Sequence, residues 1–143
     1  MAIKIGKWVG GILAVYVLFV ILFETVYLGY MQPSFEEGGI PMMLLTTTDD
    51  SSTANDRMLA RFETDGKLYA SAHHWPRGWY HRAVEFPNVR VTIDGREAAY
   101  TAVPVTGEEF DRVVSEHPLP FPVLFLMGFP PERDILRLDP VAG

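Results

Sequence analysis

The 143-residue chain contains no cysteine, which excludes disulfide scaffolds, thiolate zinc sites and cysteine nucleophiles. It also has no excess of basic residues, because 12 Lys and Arg stand against 18 Asp and Glu and the formal net charge is −6. A nucleic-acid-binding protein usually carries a basic face, so we expect no nucleic-acid partner. Neither an internal repeat nor a low-complexity stretch is present, and the length suits one domain.

Charged residues are missing from Trp8 to Phe23, near the beginning of the chain. Extended to Tyr30, this apolar segment has 23 residues, and as a helix it would be roughly 34 Å long, enough to cross a hydrocarbon core of ~30 Å. A cleaved signal peptide is the rival interpretation, but no small-residue cleavage site follows the segment. The predicted organisation is a membrane anchor at residues 1–30, a linker at 31–39 and a domain at 40–143.

The flanks of the apolar segment predict its orientation. Lys4 and Lys7 precede it, whereas Met31 to Asp50 contains four acidic residues and no Lys or Arg. Because basic residues favour the cytoplasmic side, we expect a single-pass protein with its N-terminus in the cytoplasm. The domain would then lie on the periplasmic or extracytoplasmic side.

Two features within the anchor have both a functional and an ordinary interpretation. Gly6, Gly10 and Ala14 form a stripe of small residues, which either lets another helix approach closely or faces lipid by chance. Glu24 lies about one turn inside the far boundary. It is either a functional carboxylate within the membrane or a side chain that reaches interfacial water.

The remainder of the chain predicts a mainly β domain, a small antiparallel barrel with one or two short helices. Asp65-Gly66 and Asp94-Gly95 are hairpin-turn signals between alternating segments. Thr106 and Glu109 have the spacing of a capping box and should begin a short amphipathic helix. Six strands are predicted, at residues 40–48, 57–63, 67–72, 89–93, 97–105 and 135–139, and one helical turn at 80–85.

The run Leu119–Pro131 has 13 residues, no charge and four prolines. It is too short and too rich in proline to cross a bilayer. Three roles are compatible with it: filling the end of the barrel, dipping into the membrane interface, or meeting a partner subunit. We therefore expect the lipid bilayer as a partner, and membrane-complex subunits as possible partners through this run and the stripe of small residues.

Several short motifs occur in an order and spacing that point to one family. They are Leu44-Leu-Thr-Thr-Thr48, Asp65-Gly-Lys-Leu-Tyr69, Pro76 with Trp79-Tyr80-His81, Pro87-Asn-Val89 and Ala102-Val-Pro-Val105. From Pro41 to its end, the chain resembles the deazaflavin-dependent nitroreductase family. The members of this family are split β-barrels related to FMN-binding oxidoreductases.

The resemblance implies a split β-barrel that transfers a hydride from a reduced deazaflavin, or in the related enzymes uses FMN, to quinones or nitro compounds. The residues that it marks as candidates for cofactor binding are Thr47, Thr48, Trp79, Tyr80 and His81. It assigns no catalytic residue in this chain. We predict no metal site, because His73 and His74 are adjacent and would point to opposite faces of an extended strand.

The loop after the three threonines departs from the family. In the family it is rich in glycine and basic residues and receives the phosphate of the cofactor, whereas here Asp49–Asp56 contains three aspartates and no glycine. The family's Asn after Trp-Tyr-His is Arg82. We therefore expect weak or no binding of a deazaflavin in the family's mode. Trp79 and Tyr80 would then be packing residues instead.

Two functions remain open from the sequence. The first is a membrane-anchored, oxidoreductase-like split barrel that reduces quinones or nitro compounds. The alternative is a non-catalytic accessory or assembly subunit of a larger membrane complex, which has lost cofactor binding. The altered loop and the predicted extracytoplasmic side favour the alternative, since reduced deazaflavins are cytoplasmic. The anchor favours the first, because it would hold the domain where quinones partition.

Overall fold

The computed structural model describes residues 2–31 and 40–142. Helix α1, Ala2–Leu22, continues into a π-helical segment, Phe23–Met31. Within them, Ile5–Tyr27 is 23 residues long, with a mean hydropathy of 2.4, and is long and apolar enough to cross a membrane. No residue of this helix is fully buried by the described part of the chain, although Tyr16, Val20, Phe23 and Glu24 are partly buried. Apart from Met31, the predicted linker lies outside the described residues.

Six antiparallel strands form a closed barrel in the order β1-β2-β3-β6-β5-β4, and pairing of β1 with β4 closes it. The fold class predicted from the sequence is therefore confirmed. The strands are β1 Met42–Thr48, β2 Ala54–Thr64, β3 Lys67–Ala72, β4 Asn88–Ile93, β5 Arg96–Pro104 and β6 Asp134–Pro140.

Both Asp-Gly pairs form the predicted hairpin turns. Asp65 and Gly66 have φ angles of 53° and 71°, and Asp94 and Gly95 have φ angles of 50° and 74°. Positive φ at both central positions matches the twist of the flanking strands, and Gly and Asp adopt it more readily than most residues. These turns set the register of the β2–β3 and β4–β5 pairs.

The core of the barrel follows from alternation along the strands. On β4, Val89 and Val91 are buried whereas Asn88 and Arg90 are exposed, as expected for a strand with one face toward the core. A second, smaller cluster lies between the barrel and the helix that follows β5, and it contains Tyr69, Val105, Val113 and Ile135.

The described residues also form three short helices outside the barrel strands: α2 Gly78–Glu85, α3 Gly107–Glu116 and α4 Phe121–Leu126. Helix α3 begins where the capping-box pattern predicts, but the Thr106 side chain makes no capping hydrogen bond. The Glu109 carboxylate instead accepts hydrogen bonds from Arg137 at 2.8 and 2.9 Å and from the Tyr69 hydroxyl at 2.8 Å. Charge-assisted hydrogen bonds are stronger than the neutral capping bond, so the predicted box is wrong in this detail.

Helix α4 forms within the apolar run Leu119–Pro131, and it packs against α1. The Tyr16 hydroxyl donates a hydrogen bond to the Phe125 carbonyl at 2.7 Å, and the two rings stack with centroids 5.1 Å apart. Gly128 has φ +70°, and a Cβ there would lie 2.7 Å from a methyl carbon of Val20. A glycine is therefore required where the end of α4 meets α1.

Candidate functional site

A cavity of about 490 Å³ lies between the end of the N-terminal helix, strands β1 to β3 of the barrel, and α4. Most of its wall is apolar, which is typical of small-molecule sites, and a few polar groups converge on it. The apolar wall includes Phe23, Tyr27, Met42, Leu59, Val123 and Leu126, and the polar groups are Ser71, His73, His74, His117 and Arg133.

His73 and His74 lie side by side on this cavity, with ring centroids 4.3 Å apart. The expectation that they point to opposite faces is wrong because β3 ends at Ala72 and the chain bends immediately afterwards. Nδ1 of His73 is 3.2 Å from the Ser71 hydroxyl oxygen. Among the described residues, no group of three His, Cys, Asp or Glu side chains is arranged to hold a metal ion.

Both imidazoles are neutral at physiological pH. Burial, with the nearby charge of Arg133, lowers the pKa of His73 to about 4. Burial, with the adjacent His73 ring, lowers the pKa of His74 to about 3. A neutral imidazole has one N–H donor and one acceptor nitrogen, so each ring can donate a hydrogen bond to a ligand oxygen in the cavity.

Glu24 connects the N-terminal helix to this site. Its side chain is only 10% exposed, and its Oε1 lies 4.0 Å from Nδ1 of His74. The same oxygen accepts a hydrogen bond of 3.5 Å from the backbone N–H of Trp75, whose indole N–H donates to the Met127 carbonyl at 3.1 Å. Glu24 therefore faces the barrel and the histidines.

The lowered pKa values of the two half-buried histidines predict a pH-dependent stability. As pH falls from 6.5 to about 4, the unfolded chain binds protons that His73 does not bind in the folded state, so the free energy of unfolding should decrease. At about pH 5 the loss for His73 alone should be on the order of 2 kcal/mol. Denaturant unfolding in detergent should show a flatter pH dependence for His73→Gln, but not for His81→Gln, which changes an exposed ring. An unchanged slope in His73→Gln would contradict the burial of a neutral ring.

The candidate cofactor residues from the sequence lie elsewhere, on α2 and at the end of β1. Thr47 is fully buried, and its hydroxyl donates to the Asn55 carbonyl at 3.3 Å and accepts from Nε of Arg82 at 3.2 Å. Trp79 is 7% exposed and belongs to the barrel core. The others differ in exposure: Thr48 and Tyr80 are half-buried and His81 is exposed. None of the five lines the 490 Å³ cavity.

The Asp49 carboxylate forms hydrogen bonds within the loop between β1 and β2. Asp49 accepts hydrogen bonds from the backbone N–H groups of Ser51 at 3.0 Å and Thr53 at 2.9 Å, and from the Asn55 side chain at 3.3 Å. The N–H of Thr53 contributes most to lowering the pKa of Asp49, which keeps the carboxylate charged. Asp56 accepts a hydrogen bond from the Thr46 hydroxyl at 2.6 Å.

These contacts do not fit the phosphate of a deazaflavin coenzyme. A phosphate-binding loop needs free backbone N–H groups and positive charge, whereas here two N–H groups are taken by an internal anion. Arg82 brings one positive charge close to Asp49, and the two attract each other. The folded loop thus supplies a geometric reason for the weak binding expected from the sequence.

Comparisons with known proteins agree with this architecture. A family model described as F420H(2)-dependent quinone reductase matches residues 29–120. A solved F420-H2 dependent reductase, FDR-A, is 23% identical, with 69% of this chain and 94% of that chain covered and a TM-score of 0.56. General Stress Protein 26 from Bacillus anthracis is 16% identical, with 77% and 87% covered and a TM-score of 0.53. At these identities the two structures show a shared fold. No curated protein matches.

Sequence reasoning did not find the cavity. Ser71, His117 and Arg133 had no signal of their own, because each lies at the end of a different element. Arg133 is 8% exposed and donates to the carbonyls of Val114 and His117, so it holds the end of α3 against the cavity. The sequence shows His73 and His74 as a pair, but only the bend after β3 brings both rings to one site.

Proposed function

Because the chain belongs to the F420H(2)-dependent quinone reductase family, we propose that it is a membrane-anchored, oxidoreductase-like protein that holds a quinone-type acceptor in the 490 Å³ cavity. The composition of the cavity wall carries this proposal. Phe23 and Tyr27 come from the apolar N-terminal helix, whereas His73 and His74 come from the barrel. A ligand with an apolar body and carbonyl oxygens matches both parts of that wall.

The anchor in this proposal is Ile5–Tyr27, whose length and hydropathy suit a membrane span. Lys4 and Lys7 before it favour a cytoplasmic N-terminus, which would put the barrel on the extracytoplasmic side. The chain would then be divided into an anchor at 1–30, a linker at 31–39 and the barrel domain at 40–143. In this arrangement the cavity lies where the barrel meets the end of the span.

The described residues support binding of the acceptor. The neutral rings of His73 and His74 can donate hydrogen bonds to a quinone oxygen. Glu24 Oε1 lies 4.0 Å from Nδ1 of His74, which is too far for a direct hydrogen bond. In this family a reduced deazaflavin supplies the hydride when bound. The Asp49 loop does not fit its phosphate, so we derive no step through it.

Quinone binding tests the proposal directly. The full chain in phospholipid nanodiscs should bind an isoprenoid-tailed quinone saturably, measured by quenching of intrinsic tryptophan fluorescence. His73→Phe or His74→Phe should weaken binding about tenfold, because each removes a hydrogen bond worth about 1 kcal/mol or more in a dry site. His81→Phe is the matched control, since that ring is exposed and outside the cavity. Equal affinity in all four proteins would refute the assignment of the cavity.

The closed loop favours a second candidate function, a non-catalytic accessory or assembly subunit of a membrane complex. Its contacts would be the run Leu119–Pro131 and the stripe Gly6, Gly10 and Ala14. In the described part of the chain, no atom lies within 4 Å of a Cβ placed at either glycine. Purification in mild detergent separates the two candidates. A co-migrating complex that neither contains a flavin-like chromophore nor binds quinone would support the accessory role.

A further inference from the structure

Exposed aromatic residues dominate the outer surface of the α4 segment, defined here as Leu119–Phe129. Phe121, Phe125 and Phe129 are 69%, 46% and 48% exposed, and Phe129 contacts the other two rings at centroid distances of 5.7 and 6.2 Å. The segment contains no charged residue. A contiguous apolar patch of this kind needs a partner of matching chemistry.

The α4 segment lies beside the middle of the proposed span. Tyr16, whose hydroxyl is bonded to the Phe125 carbonyl, is eleven residues before Tyr27, the last residue of the apolar helix. At ~1.5 Å per residue, this contact lies roughly 16 Å along the helix from its end. The close approach of Gly128 to Val20 places the other end of the segment against the same half of the helix.

The length of the N-terminal helix indicates what surrounds the α4 segment. If the α4 segment lay in water, only Ile5–Val15 would extend beyond it, and eleven residues make roughly 16 Å of helix, about half of a ~30 Å hydrocarbon core. The helix crosses the whole hydrocarbon core only if the α4 segment also lies in lipid. Resting on the proposed anchor, we infer that the α4 segment inserts into the bilayer beside the second half of the span, with hydrocarbon as the partner of its three phenylalanines.

The backbone of the α4 segment is suited to this environment, where unsatisfied polar groups are costly. Pro120 and Pro122 have no N–H to satisfy. The carbonyl of Phe125 is bonded to Tyr16, and the carbonyl of Met127 is bonded to the indole N–H of Trp75. The Phe125 carbonyl also accepts a hydrogen bond from the N–H of Gly128 at 3.2 Å, so both carbonyls at the end of the helix have partners.

The insertion also places one wall of the cavity against lipid. That wall combines Phe23 and Tyr27 of the span with Val123 and Leu126 of the α4 segment. A lipophilic acceptor dissolved in the bilayer would enter laterally, without crossing water. Charged residues follow the segment in the sequence from Glu132 onward, and among them Asp134 pairs with Arg77 at 2.6 Å.

Because the chain has no cysteine, single labelled cysteines can test this inference. An environment-sensitive fluorophore on Phe125→Cys, in the full chain in phosphatidylcholine vesicles, should show blue-shifted emission and strong quenching by lipids with a nitroxide deep in the acyl chain. Aqueous iodide should not quench the fluorophore at this position. Phe121→Cys repeats the measurement at the most exposed ring. The Ser52→Cys label, on the β1–β2 loop, is the control and should show the opposite pattern.

A label on Leu13→Cys tests the span separately. Lipid quenching at Leu13 with iodide quenching at Phe125 and Phe121 would overturn the inference and leave the anchor intact. Iodide quenching at Leu13 as well would reject the anchor, and the inference with it. Labels at Phe125 and Phe121 that are shielded from both iodide and nitroxide lipids would show a protein contact, and this too would overturn it. Quinone affinity, measured independently, reports on the cavity assignment alone.

Discussion

The oxidised deazaflavin coenzyme should bind this chain about three decades or more weaker than it binds a loop rich in glycine and basic residues. Asp49 occupies the N–H groups of Ser51 and Thr53, and the remaining aspartates repel an incoming phosphate. Titration of the full chain in nanodiscs, followed by coenzyme fluorescence, measures this affinity.

Substitutions in the β1–β2 loop should restore part of the coenzyme affinity. Asp49→Gly combined with Asp50→Lys releases the two N–H groups, removes two negative charges and adds a positive one. We expect this pair to raise coenzyme affinity at least about tenfold. Asp94→Gly, at the β4–β5 hairpin, removes a negative charge far from the loop and should leave the affinity unchanged. Low-micromolar binding by the unmodified chain, lost in Tyr80→Ala, would contradict the reasoning and favour the family's enzymatic activity.

Replacing Trp79 by alanine should destabilise the barrel by about 3–5 kcal/mol, a large part of the 5–15 kcal/mol that typically holds a domain folded. The reason is that Trp79 is 7% exposed within the main core cluster, where truncation leaves a cavity. Denaturant unfolding of the full chain in detergent, monitored by circular dichroism, measures the loss.

The neighbouring residues of α2 provide the comparison for Trp79. His81→Ala changes an exposed side chain and should alter the free energy of unfolding by no more than about 0.5 kcal/mol. If Trp79→Ala instead kept the stability of the parent chain but abolished coenzyme binding, Trp79 would be part of a ligand site, as the family resemblance implies.

Local signals in the sequence were sufficient for most of the barrel. Alternating residues indicate β2 and β4, a mostly apolar run indicates β1, and all six predicted strands form. Asp65-Gly66 and Asp94-Gly95 located two hairpins, because few other residues tolerate positive φ. Local signals did not predict helix α4. Pro120 and Pro122 resemble helix breakers, but at the first turn a missing N–H costs nothing.

The change of charge in the β1–β2 loop was visible in the sequence, whereas its consequence required the folded loop. Counting shows three aspartates and no glycine from Asp49 to Asp56. Only the turn geometry shows that Asp49 bonds to the N–H groups of Ser51 and Thr53. Similarly, the motif Trp79-Tyr80-His81 does not specify which side of α2 meets the core, and packing decided that Trp79 faces inward.

The sequence by itself determined the apolar helix, the strand order along the chain, the turns and the family, since each depends on neighbouring residues or on motif order. Tertiary structure decided the closure of the barrel, the cavity and the state of its histidines. His74 meets Glu24 across 50 positions of the chain, and its pKa is lowered by burial that no local pattern reports. Such sites depend on which distant elements pack together, and that follows from the free energy of the whole fold.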